Sequence, residues 1–250
     1  ARTLGRPGTL DFVNALFTDV FVCKGDRLHR EDPSIFGAIA RFHGRPVTVL
    51  GHRKGRTFEE NMMCNFGMPS PEGYRKALRL MKQAEKFRRP IITFIDTPGA
   101  YPGKDAEERG QGEAIASCLS LLSTLEVPVL CVITGEGGSG GALALAVANR
   151  VLMLENAIYS VLSPEGFASI LWKDAGRSGE AAEVMKLTAA DLLSLGVIHE
   201  ILPEPEGGAH LDPAAAFATV DRALSRHLRQ VEREGHFAAR RYETFRRIGS

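Results

Sequence analysis

The stretch Glu126–Val151, EVPVLCVITGEGGSGGALALAVANRV, decides how the chain is read. Val129 to Ile133 is a short, β-branched apolar run, the pattern of a strand buried on both faces. Gly135-Glu136-Gly137-Gly138-Ser139-Gly140-Gly141 follows, five glycines in seven residues. Ala142 to Ala148 is small and apolar on every side, as in a helix buried all round. A strand that feeds a glycine turn into a helix leaves several backbone N–H groups without intrahelical acceptors. Glycine admits positive φ and has no Cβ to hold a ligand away from those donors. The segment reads as a strand, a turn suited to negative charge, and a buried helix.

Three chemistries fit that turn. Gly135-x-Gly137-x-x-Gly140, with Glu155 roughly twenty residues on, matches a dinucleotide fingerprint, although such a unit normally opens its domain. Gly137-x-Ser139-x-Gly141 matches a nucleophile elbow, with Ser139 attacking and His199 or His210 as the base. In the third, the N–H groups themselves form an oxyanion hole for a developing enolate or ureido anion. A tight turn packed for its own sake is the plain alternative. Local sequence leaves all four open.

Immediately upstream the same pattern occurs once more. Ile91-Ile92-Thr93-Phe94-Ile95 is a buried strand, Asp96-Thr97-Pro98-Gly99-Ala100-Tyr101-Pro102-Gly103 a proline- and glycine-shaped loop. Ala106 to Leu125 follows as a helix with Ile115, Leu119, Leu122 and Leu125 on one face. A right-handed crossover makes the two strands parallel. Both glycine loops then lie at the C-terminal edge of the sheet, where open α/β folds bind ligands. One N–H from each loop could converge on a single oxygen.

Residues 1–34 read as a peripheral segment and 35–250 as a single domain. Leu10–Phe17 is a short amphipathic run, and His29-Arg30-Glu31-Asp32 a solvated loop. Residues 36–42 and 47–51 read as paired strands around the turn His43–Pro46. The basic cluster His52-Arg53-Lys54-Gly55-Arg56 is either solvated or meets a phosphate or carboxylate beside a cleft. Ser70-Pro71-Glu72 opens a helix through a capping hydroxyl and a first-position proline. Its apolar stripe is Tyr74, Ala77, Leu78, Met81, Ala84 and Phe87, with Lys76, Arg79, Lys82 and Lys86 solvated on the other side. Downstream, 151–154, 158–162 and 197–202 read as strands. Ser163-Pro164-Glu165-Gly166 starts a helix containing Trp172, residues 178–186 and 188–195 are helices, and Asp212-Pro213 caps a further one. The basic and aromatic run 240–247 reads as a helix packed on a partner.

Composition is ordinary for a soluble globular protein, 44% apolar and 24% charged. A net charge of +1 supplies no global field for nucleic acid. No apolar run is long enough to span a bilayer. The four cysteines never form C-x-x-C, so the expectation is buried thiols, no disulfide, no metal in this chain and a cytoplasmic setting. The start without methionine reads as a processed or truncated chain.

From about Thr9 to Gly249 the sequence closely resembles the α subunits of bacterial acetyl-coenzyme A carboxylase carboxyltransferases. The carrying stretches are Gly51-His52-x-Lys54-Gly55, Asn65-Phe66-Gly67-Met68-Pro69, Pro71–Ala77, Phe94–Gly103, Glu107–Ala116, Gly135–Ala142 and Tyr159–Gly166. Phe58 and Phe167 depart from the residues usual beside their motifs. The resemblance implies an α/β, crotonase-like (ClpP/crotonase) fold of repeated β-β-α units with peripheral helices. It implies transfer of carboxyl from carboxybiotin, on the biotin carboxyl carrier protein, to the coenzyme A thioester acetyl-CoA. It further implies an α₂β₂ heterotetramer with a β subunit that carries zinc, working beside biotin carboxylase. By correspondence, the catalytic donors are the N–H groups of Gly140 or Gly141 and of Gly99 or Ala100. Gly137, Gly138, Ser139 and Tyr101 would line the carboxybiotin pocket. The biotin nitrogen can itself take the α-proton of acetyl-CoA, so no side-chain base is required. A hydratase or decarboxylase of the same fold would need its own carboxylate, for which Glu136 and Glu165 are the candidates.

Overall fold

The computed structural model describes residues 1–249. Helix α1 (Thr9–Leu16) and strand β1 (Thr18–Val22) lead into a hairpin of β2 (Ile35–Phe42) and β3 (Arg45–His52). The hairpin turns at His43 and Gly44, whose φ values of 48° and 78° suit a two-residue turn between twisted strands. Helices α2 (Phe58–Met63) and α3 (Pro71–Lys86) precede β4 (Ile91–Thr97). Helices α4 (Lys104–Glu108) and α5 (Gln111–Thr124) return the chain to β5 (Val129–Gly138), which feeds α6 (Ser139–Ala146). Strands β6 (Arg150–Leu154) and β7 (Ile158–Ser160) come next. Then follow α7 (Pro164–Trp172), α8 (Ser178–Met185), α9 (Ala189–Ser194), β8 (Glu200–Leu202), α10 (Pro213–Glu234) and α11 (Phe237–Arg246).

The strands form one mixed sheet in the order β1-β2-β3-β4-β5-β6-β8, with β7 paired to the far end of β5. β1 to β3 are antiparallel neighbours, and β3, β4, β5, β6 and β8 run parallel. The runs 91–95, apolar but for Thr93, and 129–133 are fully buried, as parallel strands covered on both faces should be. Phe12, Val13 and Phe17, from the N-terminal segment, belong to the same core. Phe12 stacks on Phe94 at 5.5 Å between ring centroids. No helix is long and apolar enough to cross a membrane among the described residues.

Several elements depart from the sequence reading. The strand expected to stop at Ile133 continues to Gly138, so Gly135 to Gly138 are strand and not loop. Their pairing partner is β7, in the register Glu136↔Ile158 to Gly138↔Ser160. Helix α6 accordingly starts at Ser139 and ends before Val147, whose backbone is extended. The single helix expected over 106–125 is two, broken at Gly110 with φ 82°. Strands at 158–162 and 197–202 shorten to three residues each.

Helix α3 begins at Pro71, but the Ser70 hydroxyl makes no cap bond; it accepts from Asn65 Nδ2 at 3.2 Å. Leu80 takes the core position expected of the exposed Phe87. Lys76, expected in solvent, is buried: it pairs with Glu31 and donates to the Asp32 carbonyl at 2.8 Å. Asp32 is buried with it, contrary to the solvated loop expected there. Glu72 has a fully buried carboxylate that accepts from Arg109 Nε at 2.7 Å and Arg75 Nη2 at 3.1 Å. It ties α3 to the junction of α4 and α5. Helix α11 packs on its own chain, because buried Arg241 donates to the carbonyls of Leu122, Leu125 and Val127. The cap at Asp212 forms as read from sequence, and the Ser163 and Thr188 hydroxyls cap α7 and α9.

Candidate active site

Two bends emerge side by side from the C-terminal ends of β4 and β5, where Thr97 pairs with Gly137. Side chains are excluded at the contact. A Cβ on Gly138 would overlap the Pro98 carbonyl group, and one on Gly141 would overlap the Ala100 nitrogen. Gly99 has φ 147°, a conformation that favours glycine. Ser139 holds φ 54° at the entry to α6, which puts the helix start directly on the strand end.

The donors can be counted. Helix α6 has no side-chain cap, so the first-turn N–H groups of Ser139, Gly140 and Gly141 lack intrahelical partners. On the neighbouring bend the Gly99 N–H is taken, donating to Thr97 Oγ1 at 3.0 Å. The Ala100 N–H has no acceptor among the described residues. Tyr101, next along, is held from behind. Its N–H donates to the Pro69 carbonyl at 2.9 Å, and its carbonyl accepts from Gln111 Nε2 at 2.9 Å.

Ser139 and Gly140 open onto a cavity of about 550 Å³ walled by Leu143, Tyr159, Leu162, Phe167 and Val197. Its lining is almost wholly apolar, with Lys186 the one charged group on it. Gly137 and Gly138 lie behind this opening in β5, and Tyr101 is not on its wall. The residues singled out from sequence therefore separate. Gly138, Gly141, Gly99 and Ala100 meet at the contact, Ser139 and Gly140 face the cavity, and Tyr101 stands apart.

Sequence reasoning offered Lys54, Glu136 and Glu165 as candidates around the bends but missed Asp96 and Arg2 as their partners. Lys54 Nζ donates to Asp96 Oδ1 at 2.7 Å and to Glu136 Oε2 at 2.8 Å. Arg2 takes the other oxygen of Glu136 and reaches Glu165 at 3.4 Å. Burial alone would raise the Glu136 carboxyl, but Lys54 and Arg2 outweigh it and hold the group below its ordinary value. Its own backbone N–H, the Ser163 hydroxyl and Arg2 likewise keep Glu165 low. The signal was Lys54 in the basic cluster at the end of β3, one of the two readings given for that cluster. His52, two residues earlier, is fully buried, and burial brings it down to about 3. The neutral ring places Nε2 at 3.3 Å from the Gly141 carbonyl, which accepts from it.

No histidine hydrogen-bonds Ser139 among the described residues. His199 Nδ1 is occupied by the Val151 N–H at 3.0 Å. Nor do the described residues contain a group of three or more His, Cys, Asp or Glu that could hold a metal ion. Cys118 and Cys131 are buried, and burial pushes both thiols up to about 12.

A model of the family described as acetyl co-enzyme A carboxylase carboxyltransferase-like matches residues 1–249. The chain belongs to that family. Curated relatives agree: the acetyl-coenzyme A carboxylase carboxyl transferase subunit alpha of Anoxybacillus flavithermus is 59% identical over 100% of this chain and 77% of its own length. The corresponding Bacillus cereus subunit is 57% identical over 100% and 78%. Among solved structures, the transcarboxylase 12S core has a TM-score of 0.69 at 21% identity, over 89% of this chain and 42% of that one. A Pseudomonas malonate decarboxylase hetero-dimer has a TM-score of 0.68 at 19% identity, over 80% and 82%. At those identities the likeness is one of fold, the crotonase-like architecture expected from the sequence. The chain spans about two fifths of the transcarboxylase polypeptide.

Proposed function

We propose that this carboxyltransferase chain moves a carboxyl group from carboxybiotin to acetyl-CoA, giving malonyl-CoA, with backbone amides as its catalytic groups. The observation that carries the mechanism is the contact of Gly141 with Ala100, which places free amides of two bends beside one another. Carboxybiotin, presented on its carrier protein, supplies the carboxyl group and gathers negative charge on its ureido oxygen as that group departs. In this reading the N–H groups of Ala100 and of Gly140 or Gly141, held on rigid bends, meet that oxygen without reorganisation. One such donor is worth roughly 3–4 kcal/mol of barrier. The apolar cavity onto which Gly140 opens suits a flat, uncharged bicyclic ring.

The side chains are consistent with this division of labour. Among the described residues no histidine bonds Ser139, Glu136 is spent on two cations and Glu165 meets Arg2 at 3.4 Å, which favours neither a hydrolase nor a hydratase. In this reading the chain works with a β subunit that brings zinc and most of the coenzyme A site, in an α₂β₂ assembly supplied by the carrier protein and biotin carboxylase. The setting proposed is the cytoplasm. Co-expression with a carboxyltransferase β chain and assay of malonyl-CoA-dependent carboxylation of free biotin tests the reading. Turnover of crotonyl-CoA by the α chain alone, without biotin activity in the complex, would replace it.

A further inference from the structure

We propose that Lys54 is a positioning residue, a shielded cationic clamp that sets the spacing of the two bends by joining the strands that carry them. The inference rests on the carboxyltransferase reading of those bends. Lys54 lies two residues beyond the end of β3, and its ammonium bridges Asp96 in β4 and Glu136 in β5. Asp96 Oδ1 also accepts the Glu136 N–H at 3.0 Å, so the bridge includes main chain as well as side chains. Asp96 lies three residues before Gly99 and Glu136 four before Gly140. One ammonium thus fastens three neighbouring strands at the edge from which both sets of donors emerge.

Neighbouring backbone is shaped around this clamp. A Cβ on Gly135 would come within 2.7 Å of the Asp96 carboxyl carbon, and one on Gly67 within 2.7 Å of Lys54 Cγ. Side-chain exposure is 27% for Lys54, 14% for Asp96 and 10% for Glu136, so the contacts are shielded well beyond those of a surface pair. Arg2 on the second Glu136 oxygen, with Glu165 at 3.4 Å beyond it, brings the cluster to two cations and three carboxylates. Few residues separate each carboxylate from its bend, so displacing one moves an amide. A misplacement of about 1 Å costs on the order of a hundredfold in rate.

The test uses the full α chain in complex with its β partner. Wild type is compared with Lys54→Arg and with the triple variant Lys54→Met, Asp96→Asn, Glu136→Gln, in which all three side chains are uncharged. The triple variant is expected to assemble and to lose roughly 10- to 100-fold in kcat, with KM for malonyl-CoA within about twofold. Hydrogen exchange should quicken at the hydrogen-bonded Gly99 and Tyr101 amides of the β4 bend and stay unchanged in β6 and β8. Lys54→Arg should recover most of both losses. Wild-type kcat and exchange in the triple variant overturn the clamp, as does exchange that rises equally across the sheet. Aggregation of that variant also counts against it, because the role assigned is local. A wild-type complex without biotin carboxylation would instead refute the carboxyltransferase reading, and the exchange measurement is independent of that outcome.

Discussion

The α-carbon of Gly141 lies directly against the amide of Ala100, so the two bends share one surface with no side chain between them. A Cβ on Gly141 would also meet the Gly99 carbonyl carbon at 2.7 Å and the buried Tyr74 hydroxyl at 2.9 Å. Gly141→Ala is therefore expected to destabilise the chain by about 1–3 kcal/mol through overpacking. By pushing Ala100 away it should lower kcat by about 10²–10³ with little change in KM. Gly140 is the contrast, since its Cβ would meet Ile115 at 3.7 Å, an ordinary contact. Gly140→Ala should raise stability by about 0.5–1 kcal/mol. Thermal melting and steady-state kinetics of the two complexes decide it. A Gly141→Ala protein as stable and as fast as wild type would remove the shared surface from the mechanism.

Ser139 occupies the left-handed region at φ 54°, which costs an L-residue roughly 1–2 kcal/mol. Ser139→Gly should therefore melt higher than wild type. Ser139→Ala should keep turnover within about an order of magnitude, whereas removing a true nucleophile costs about 10⁶. Covalent labelling of Ser139 by a serine-directed phosphonate would restore the hydrolase reading.

The buried parallel strands were legible because a strand covered on both faces has to be apolar almost throughout: Val129–Ile133 is, and Ile91–Ile95 is broken only by Thr93, whose hydroxyl donates to the Leu145 carbonyl at 2.8 Å. The bends were legible because close backbone approach removes side chains, leaving Gly138 and Gly141 as a visible trace. The extension of β5 through Gly138 was not. Glycines show no side-chain alternation, and the strand that pairs with them, β7, begins about twenty residues later. The buried lysines were hidden for a related reason. Lys54 is 42 and 82 residues from its two carboxylates, and Lys76 is 45 from Glu31. A helical wheel sorts Lys76 by chemistry to the wet side, and only the fold supplies the partner that lets it be buried. Gly110 breaks a helical pattern that continues on both sides of it, so periodicity alone reads through the break.

Acid sensitivity follows from two histidines. Burial brings His52 down to about 3 and His199 down to about 4, each from 6.5 when unfolded. Below pH 6.5 the unfolded chain binds a proton at both sites that the folded chain refuses. The unfolded state holds more protons, so stability falls as pH drops from 6.5 towards 4, by up to about 1.4 kcal/mol per pH unit for each site. Burial opposes the shift at Glu204, but the Arg6 guanidinium and the Asn156 and Ala209 amides hold it down to about 2. Its contribution is lost only as pH falls from 4.5 towards that value. Urea midpoints at pH 6.5 and 5 should differ measurably in wild type. The difference should shrink in His199→Gln, whose amide oxygen can still accept the Val151 N–H. Equal slopes in the two proteins would take His199 out of this account.

Two tethers hold the Ala100 bend in place. Glu72 is fully buried at the start of α3, where it accepts from Arg75 and from Arg109 at the α4–α5 junction. Burial would raise its carboxyl, yet Arg109 and its neighbours hold it below the ordinary value, so it is ionised at neutral pH. Removing Glu72 costs about 1–3 kcal/mol, because Arg75 keeps Asp26 and Arg109 keeps Asp105 while each loses one charge-assisted hydrogen bond. Glu72→Ala should therefore melt well below wild type, and Glu72→Gln, which keeps an acceptor oxygen, should fall between them. The chain from Ala100 to Gly110 is tethered to α3 at the Pro69 carbonyl and at this carboxylate. Limited proteolysis should accordingly cut Glu72→Ala first after Lys104 or Arg109. Cleavage there at the wild-type rate, in a variant with lowered melting temperature, would confine Glu72 to the stability of α3 and free the bend from it.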